Sequence, residues 1–177
     1  MLPYLRSLVA TVFLAAILAQ AGCETTWFGR RENVIDLRVA RSHIRDVVRE
    51  AARHADGEPI FEKLDTNYAF EDDRFHIEGE YRAADGSLRR GYLELAFSVE
   101  GGEPRVTIVE HDIPGIEGDI ERINAALTTA LEEMVADSLS QNIVSYRHIE
   151  PLAYNILEIS LTAELDPDSM IVPLPQE

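Results

Sequence analysis

The chain has 177 residues, a single cysteine and 16 basic against 32 acidic side chains, for a net charge of −16. So acidic a chain is repelled by phosphate backbones and by anionic bilayer surfaces, which excludes nucleic-acid binding, and one cysteine excludes a disulfide framework. With 46% hydrophobic residues overall, the length beyond an N-terminal leader suits one compact domain with its own core.

Ser7 to Gly22 carries no charge, follows Arg6, runs through Leu8-Val9-Ala10 and Phe13-Leu14-Ala15-Ala16-Ile17-Leu18-Ala19, and ends at Ala21-Gly22-Cys23. A basic start, an apolar core and small residues before a cut predict a secretory signal over residues 1–22. A small residue directly before the lone cysteine resembles the lipobox of a bacterial lipoprotein, in which the cysteine is acylated and becomes the new N-terminus. Gln20 departs from that pattern, which has leucine three residues before the cysteine. Cleavage after Ala21, fitting the small-x-small run Ala19-Gln20-Ala21, and an uncleaved anchor are the other readings. For the last, the uncharged run is short against the ~20 residues that span a bilayer. An unpaired cysteine in an exported chain needs an explanation, and lipidation of Cys23 supplies one, since two or more acyl chains hold a protein on a membrane where one does not.

Residues 23–33 form a tether. Trp27 and Phe28 suit the headgroup level of a bilayer, and Arg30 and Arg31 can reach lipid phosphates; alternatively the two rings fold back as an edge of the domain core. Residues 24–54 hold seven arginines and five acids, whereas residues 55–177 hold eight basic and 27 acidic side chains. The charge asymmetry puts a mildly basic segment next to the anchor and a strongly acidic domain beyond it.

The domain is predicted over 34–165. Ile35, Leu37 and Val39 alternate as a short strand. Ser42 reads as the N-cap of a helix with Ile44, Val47, Val48, Ala51 and Ala55 on one face, ended by Asp56-Gly57. Arg41, Arg45, Arg49 and Arg53 form a ridge along it, which reads as a solvated face partly neutralised by the protein's own acids, or as a grip for anionic headgroups or an acidic partner. Four strands follow: Leu64-Thr66-Tyr68-Phe70, Phe75-Ile77-Gly79-Tyr81, Leu93-Leu95-Phe97-Val99 and Val106 to Ile113, joined at Glu71-Asp72-Asp73, Ala84-Asp85-Gly86 and Gly101-Gly102. Asp119 is predicted to cap a helix of about twenty residues whose stripe is Ile120, Ile123, Leu127, Ala130, Leu131, Met134 and Val135. Strands around Ile143–Ile149 and Asn155–Ala163, with Pro151 between them, close the domain, and residues 166–177 form a Pro-rich tail. The fold class is α+β, an antiparallel meander curled over one long amphipathic helix with a shorter helix before it.

His43, His54, His76, His111 and His148 show no metal-binding spacing, and Glu110-His111-Asp112 points its side chains alternately to opposite faces of a strand. Asp166-Pro167-Asp168 is too short for a calcium loop. The serines lack a nucleophile elbow, and Gly115 and Gly118 lack the context of a phosphate loop. The reading is a non-enzyme with no metal or cofactor.

A strand ending at His111-Asp112-Ile113-Pro114-Gly115, then a long helix with Ile123-Asn124-Ala125-Ala126-Leu127, is similar to the order in small bacterial lipoproteins whose domain resembles half of a tubular lipid-binding (TULIP-like) fold. The resemblance covers about Ile35 to Leu165. It implies a sheet–helix cleft that shelters apolar chains, for which Tyr68, Phe75, Tyr81, Phe97, Leu127 and Met134 are the candidate lining. The expected function is a lipid-anchored envelope module, held to the membrane through Cys23, that binds an apolar ligand or another envelope component. The alternative is an accessory lipoprotein with a filled core that docks on a protein complex.

Overall fold

A computed structural model describes residues 32–71, 73–139, 142–153 and 155–164, with the backbone alone for residues 32 and 67. The predicted signal, Cys23, Trp27, Phe28, Arg30, Arg31 and the tail fall outside these residues. Seven strands and two helices follow one another as β1 (Glu32–Ala40), α1 (Arg41–Ala51), β2 (Lys63–Glu71), β3 (Arg74–Arg82), β4 (Leu88–Glu100), β5 (Glu103–His111), α2 (Ile120–Ser138), β6 (Ile143–Ala153) and β7 (Ile156–Glu164). The class is α+β with antiparallel pairing throughout.

The strands divide into two sheets. The meander is one of them, ordered β2-β3-β4-β5, and the remaining strands form a second, ordered β1-β7-β6. A single meander curled over a helix is therefore corrected: the sheet is not strongly curled, and the first and last strands pair with each other. β1 and β7 stay in register from Asn33↔Ala163 to Ala40↔Ile156. The apolar residues of β1 (Ile35, Leu37, Val39) thereby face those of β7 (Leu161, Ile159, Leu157) across the ladder.

Alternation decides which side of each strand is buried. In β3, Phe75, Ile77, Gly79 and Tyr81 turn inward while His76, Glu78 and Glu80 turn outward. Leu93 and Leu95 of β4, Val106 and Ile108 of β5, Leu157, Ile159 and Leu161 of β7, Ile44 and Val48 of α1, and Ile123, Leu127, Leu131 and Val135 of α2 meet in one core. The stripe predicted on α2 is the face that is buried.

Several boundaries differ from expectation. Ser42 does not cap α1, whose N-cap position is Ala40 with no side-chain bond; the Arg41 N–H instead donates to the Asn155 carbonyl at 2.9 Å. The same helix stops at Ala51, before the predicted Asp56-Gly57. Arg53 and Pro59 bridge across a tight turn in which Gly57 takes φ +89°. Asp119 does occupy the N-cap position of α2, but its side chain makes no capping bond and pairs with Arg122 at 3.3 Å. In β2 the register slips between Leu64 and Tyr68, which leaves Thr66 exposed. Pro151 lies inside β6, tolerated because that strand is a sheet edge, where a missing N–H costs no ladder bond.

Candidate functional site

The outward side chains of the four-stranded sheet form a connected polar lattice. Register places His76 opposite Glu94 on the neighbouring strand, and Glu94 opposite Glu110 on the next. The His76 ring stacks on Tyr92, with centroids 5.2 Å apart and planes inclined by 27°. Its Nε2 lies 3.3 Å from Glu78 Oε1 and its Nδ1 3.6 Å from Glu94 Oε1. Arg74 Nη1 donates to Glu94 Oε2 at 2.9 Å and stands 3.8 Å from Glu110 Oε2. The Tyr92 hydroxyl donates to Glu110 Oε1 at 2.8 Å, and its N–H donates to Asp112 Oδ1 at 2.6 Å.

Hydrogen bonding tunes two of these groups. The bond from Arg74 holds the Glu94 carboxyl below the usual carboxylate range, against the opposing effect of desolvation. The bond to the Glu110 carboxylate raises the Tyr92 phenol, because ionising it would set two negative charges side by side. The lattice gathers the carboxyl groups of Glu78, Glu94, Glu110 and Asp112 around two stacked rings.

A break in register shapes one end of it. Glu94 pairs with Glu110 and Leu95 with Ile108, so Val109 has no partner. Such a bulge re-aims the side chains beyond it, and Val109 is left exposed. Without it, alternation from Val106 and Ile108 would turn Glu110 and Asp112 inward; with it, both reach Tyr92. His111, between them, keeps its Nδ1 buried with no hydrogen-bond partner. Among the described residues no three His, Cys, Asp or Glu side chains are placed to hold a metal ion.

Beside the lattice, a hollow of about 230 Å³ is lined by Arg41, Tyr68, Glu71, His76 and Glu78. Of the arginine ridge of α1, Arg41 lines it. The guanidinium groups of Arg41 and Arg45 lie 5.1 and 5.2 Å from the centre of the Tyr68 ring, and Arg41 donates to the Tyr68 carbonyl at 2.9 Å. Arg49 pairs with Asp46, and Arg53 donates to the carbonyls of Glu50 and Gly57. The ridge thus holds its own protein together: Arg41 and Arg45 stack on an aromatic ring, Arg49 pairs within the helix, and Arg53 closes the turn after it.

The six residues predicted to line an apolar cleft sit in or against the core. Phe75, Tyr81 and Leu127 are buried, while Tyr68, Phe97 and Met134 are half-buried and pack on it. Phe75 lies 6.0 Å from Tyr68 and 5.0 Å from Phe70, which is 6.1 Å from Phe97. Phe70, absent from the predicted lining, is therefore the ring that joins the others.

The sequence shows His76 only as a histidine without metal-binding spacing and singles out neither Tyr92 nor Glu94. The signal was present in the Ala84-Asp85-Gly86 hairpin: counting back from that turn pairs His76 with Glu94. Among the described residues no helix is long and apolar enough to cross a membrane. Compared with protein-family models, with curated proteins and with solved structures, the chain matches none.

Proposed function

We propose that the protein is a bacterial envelope module, exported by residues 1–22 and anchored by lipid on Cys23, that docks on a basic protein partner through the outer face of its four-stranded sheet. The observation that carries the docking is the lattice around His76 and Tyr92. Its carboxylates are already held by hydrogen bonds, so little side-chain freedom is lost when a partner covers them, and a stacked aromatic pair at the centre of a charged rim is the composition of an interface hot spot. The anchor rests on the apolar run before Ala21-Gly22-Cys23, with Trp27, Phe28, Arg30 and Arg31 as its membrane-proximal contacts, and no cofactor or catalytic group enters the reading.

The test is charge reversal on that face. A Glu94→Lys/Glu110→Lys variant that remains folded loses the envelope proteins that co-purify with the parent, whereas Glu50→Lys, on α1, retains them; equal retention by both variants sinks the proposal. Cys23→Ser tests the anchor separately, with loss from the membrane fraction as the expected result. A second reading, an apolar ligand held between sheet and helix, draws on the half-burial of Tyr68, Phe97 and Met134 at the margin of the core. Lipid carried through purification and detected by native mass spectrometry would favour it over docking.

A further inference from the structure

Where the β4–β5 turn, the last turns of α2 and the start of β6 meet, a hollow of about 220 Å³ is lined by Glu103, Glu132, Ala136, Ser145 and Tyr146, among others. Its wall is fixed: the Tyr146 N–H donates to the Gly102 carbonyl at 2.8 Å, and Ser145 Cβ lies 3.4 Å from where a Cβ on Gly102 would sit. Two features are out of balance. First, Glu103 and Glu132 share the hollow, yet neither has a cationic partner among the described residues, in a protein whose other carboxylates so often do. Second, Tyr146 is only 7% exposed, and its hydroxyl is buried with no hydrogen-bond partner. Both carboxylates act on that hydroxyl: burial first, then the charges of Glu132 and Glu103, push the phenol up to about 12. Burial and the charge of Glu103 likewise raise Glu132. A buried unmade hydrogen bond and two like charges are costs that one ligand could relieve together.

We propose that this hollow binds a primary alkylammonium group between the carboxylates of Glu103 and Glu132 and the hydroxyl of Tyr146. An ammonium has three N–H donors and no acceptor, which matches three oxygens and neutralises both charges. A hard divalent cation is a poorer match, because calcium takes about 6–8 oxygens and the described residues place no three acidic or histidine side chains together. A quaternary ammonium prefers a cage of aromatic faces, and Tyr146 is the one ring in this lining. In the bound state the half-exposed Glu132 side chain turns to admit the guest to the hydroxyl. The site lies apart from the outer-face lattice and does not depend on the docking reading. The same chemistry is carried by a free polyamine and by a lysine side chain.

The experiment is an NMR titration of the purified protein with 1,5-diaminopentane and, separately, with Nα-acetyl-lysine methylamide, against tetramethylammonium and magnesium at matched ionic strength. The expected result is saturable shifts confined to the amides around Glu103, Glu132, Ser145 and Tyr146 with either primary amine. Saturation by only one of the two identifies its source and equally supports the site. Glu132→Gln weakens binding about tenfold, the loss of one charge-assisted hydrogen bond. Tyr146→Phe, which keeps the ring and hence the core, weakens it by a smaller factor. Shifts of equal size with tetramethylammonium, shifts that do not saturate, or unchanged affinity in Glu132→Gln overturn the proposal.

Discussion

Gly79 and Gly91 face each other across β3 and β4, and the space their missing side chains leave is occupied. A Cβ on Gly79 would come within 2.5 Å of the Phe61 ring and 2.7 Å of the Lys63 carbonyl; one on Gly91 would meet Ile113 and Tyr81 at 2.9 Å. The ring could shift, but the Lys63 backbone is held by its pairing with Glu80. Gly79→Ala is therefore expected to destabilise the fold by about 1–3 kcal/mol, the usual cost of overpacking a core, measured as a lower urea midpoint with unchanged slope. Alternation predicted that Gly79 faces inward, but which residue fills the gap depends on the chain before β2, and no local pattern shows that. A second expectation concerns the exposed turn after β3. The Ser87 hydroxyl and N–H donate to Asp85 and, with help from Arg89, hold its carboxyl down to about 2. A depressed carboxylate contributes stability that is present above the ordinary value of 3.8 and lost as pH falls through about 2. Ser87→Ala removes the hydroxyl bond, the largest cause, so the Asp85 titration followed by NMR should move up toward its ordinary value.

The pairing of α2 with β5 shows how a polar position on a helix can belong to a sheet. β5 is an edge strand, and its N–H groups that face away from β4 would be open to pairing with another chain. α2 closes them: the Val106 N–H donates to Thr128 Oγ1 at 3.0 Å, and the Ile108 N–H donates to Asn124 Oδ1 at 2.9 Å. Asn124 and Thr128 are one helical turn apart, so their side chains stack along one line of the helix and follow the strand beside it. Periodicity marked the stripe that α2 buries through Ile123, Leu127, Leu131 and Val135, yet it gave no reason for the asparagine, because the acceptor role exists only once the strand is alongside. The same limit shows at the helix starts: Ser42 lies inside α1, whose first N–H is met by the Asn155 carbonyl, and Asp119 stands at the N-cap position of α2 with its carboxylate paired to Arg122. Asn124→Ala leaves the Ile108 N–H without a partner and should cost about 1–3 kcal/mol. Hydrogen exchange at Ile108 should accelerate more than at Leu93 in the next strand, and Asn124→Ala/Thr128→Val should show greater self-association than either single variant. An Ile108 amide protected as before would mean that water or another acceptor serves that edge.

Helix, meander, long helix and closing strands were all legible in chain order, because hydrophobic period and turn chemistry are local. The division into two sheets was not, since it depends on β1 meeting β7, strands that begin and end the described chain and whose alternation suits either sheet equally. That pairing determines how the protein is held together. Leu161 of β7 is fully buried beside Ile35 of β1 and Tyr146 of β6, and it belongs to the same core as Phe75 and Leu95 of the other sheet and Leu127 of α2. Among the described residues both sheets and both helices share one core, so half of the domain is not expected to open alone. The chain between β1 and β7 is long, but closure entropy grows only slowly with length, so a pairing this distant in sequence is expected to bear on folding rate more than on stability. Leu161→Ala should cost about 2–5 kcal/mol, and the loss should be read equally by every element. Native-state hydrogen exchange is the measurement: the most protected amides of β3 and β4 should lose the same free energy as those of β7, although no residue of the meander has been changed. If β3 and β4 kept their protection while β7 lost its own, the two sheets would be separate cooperative units, and the shared core would be contact without coupling.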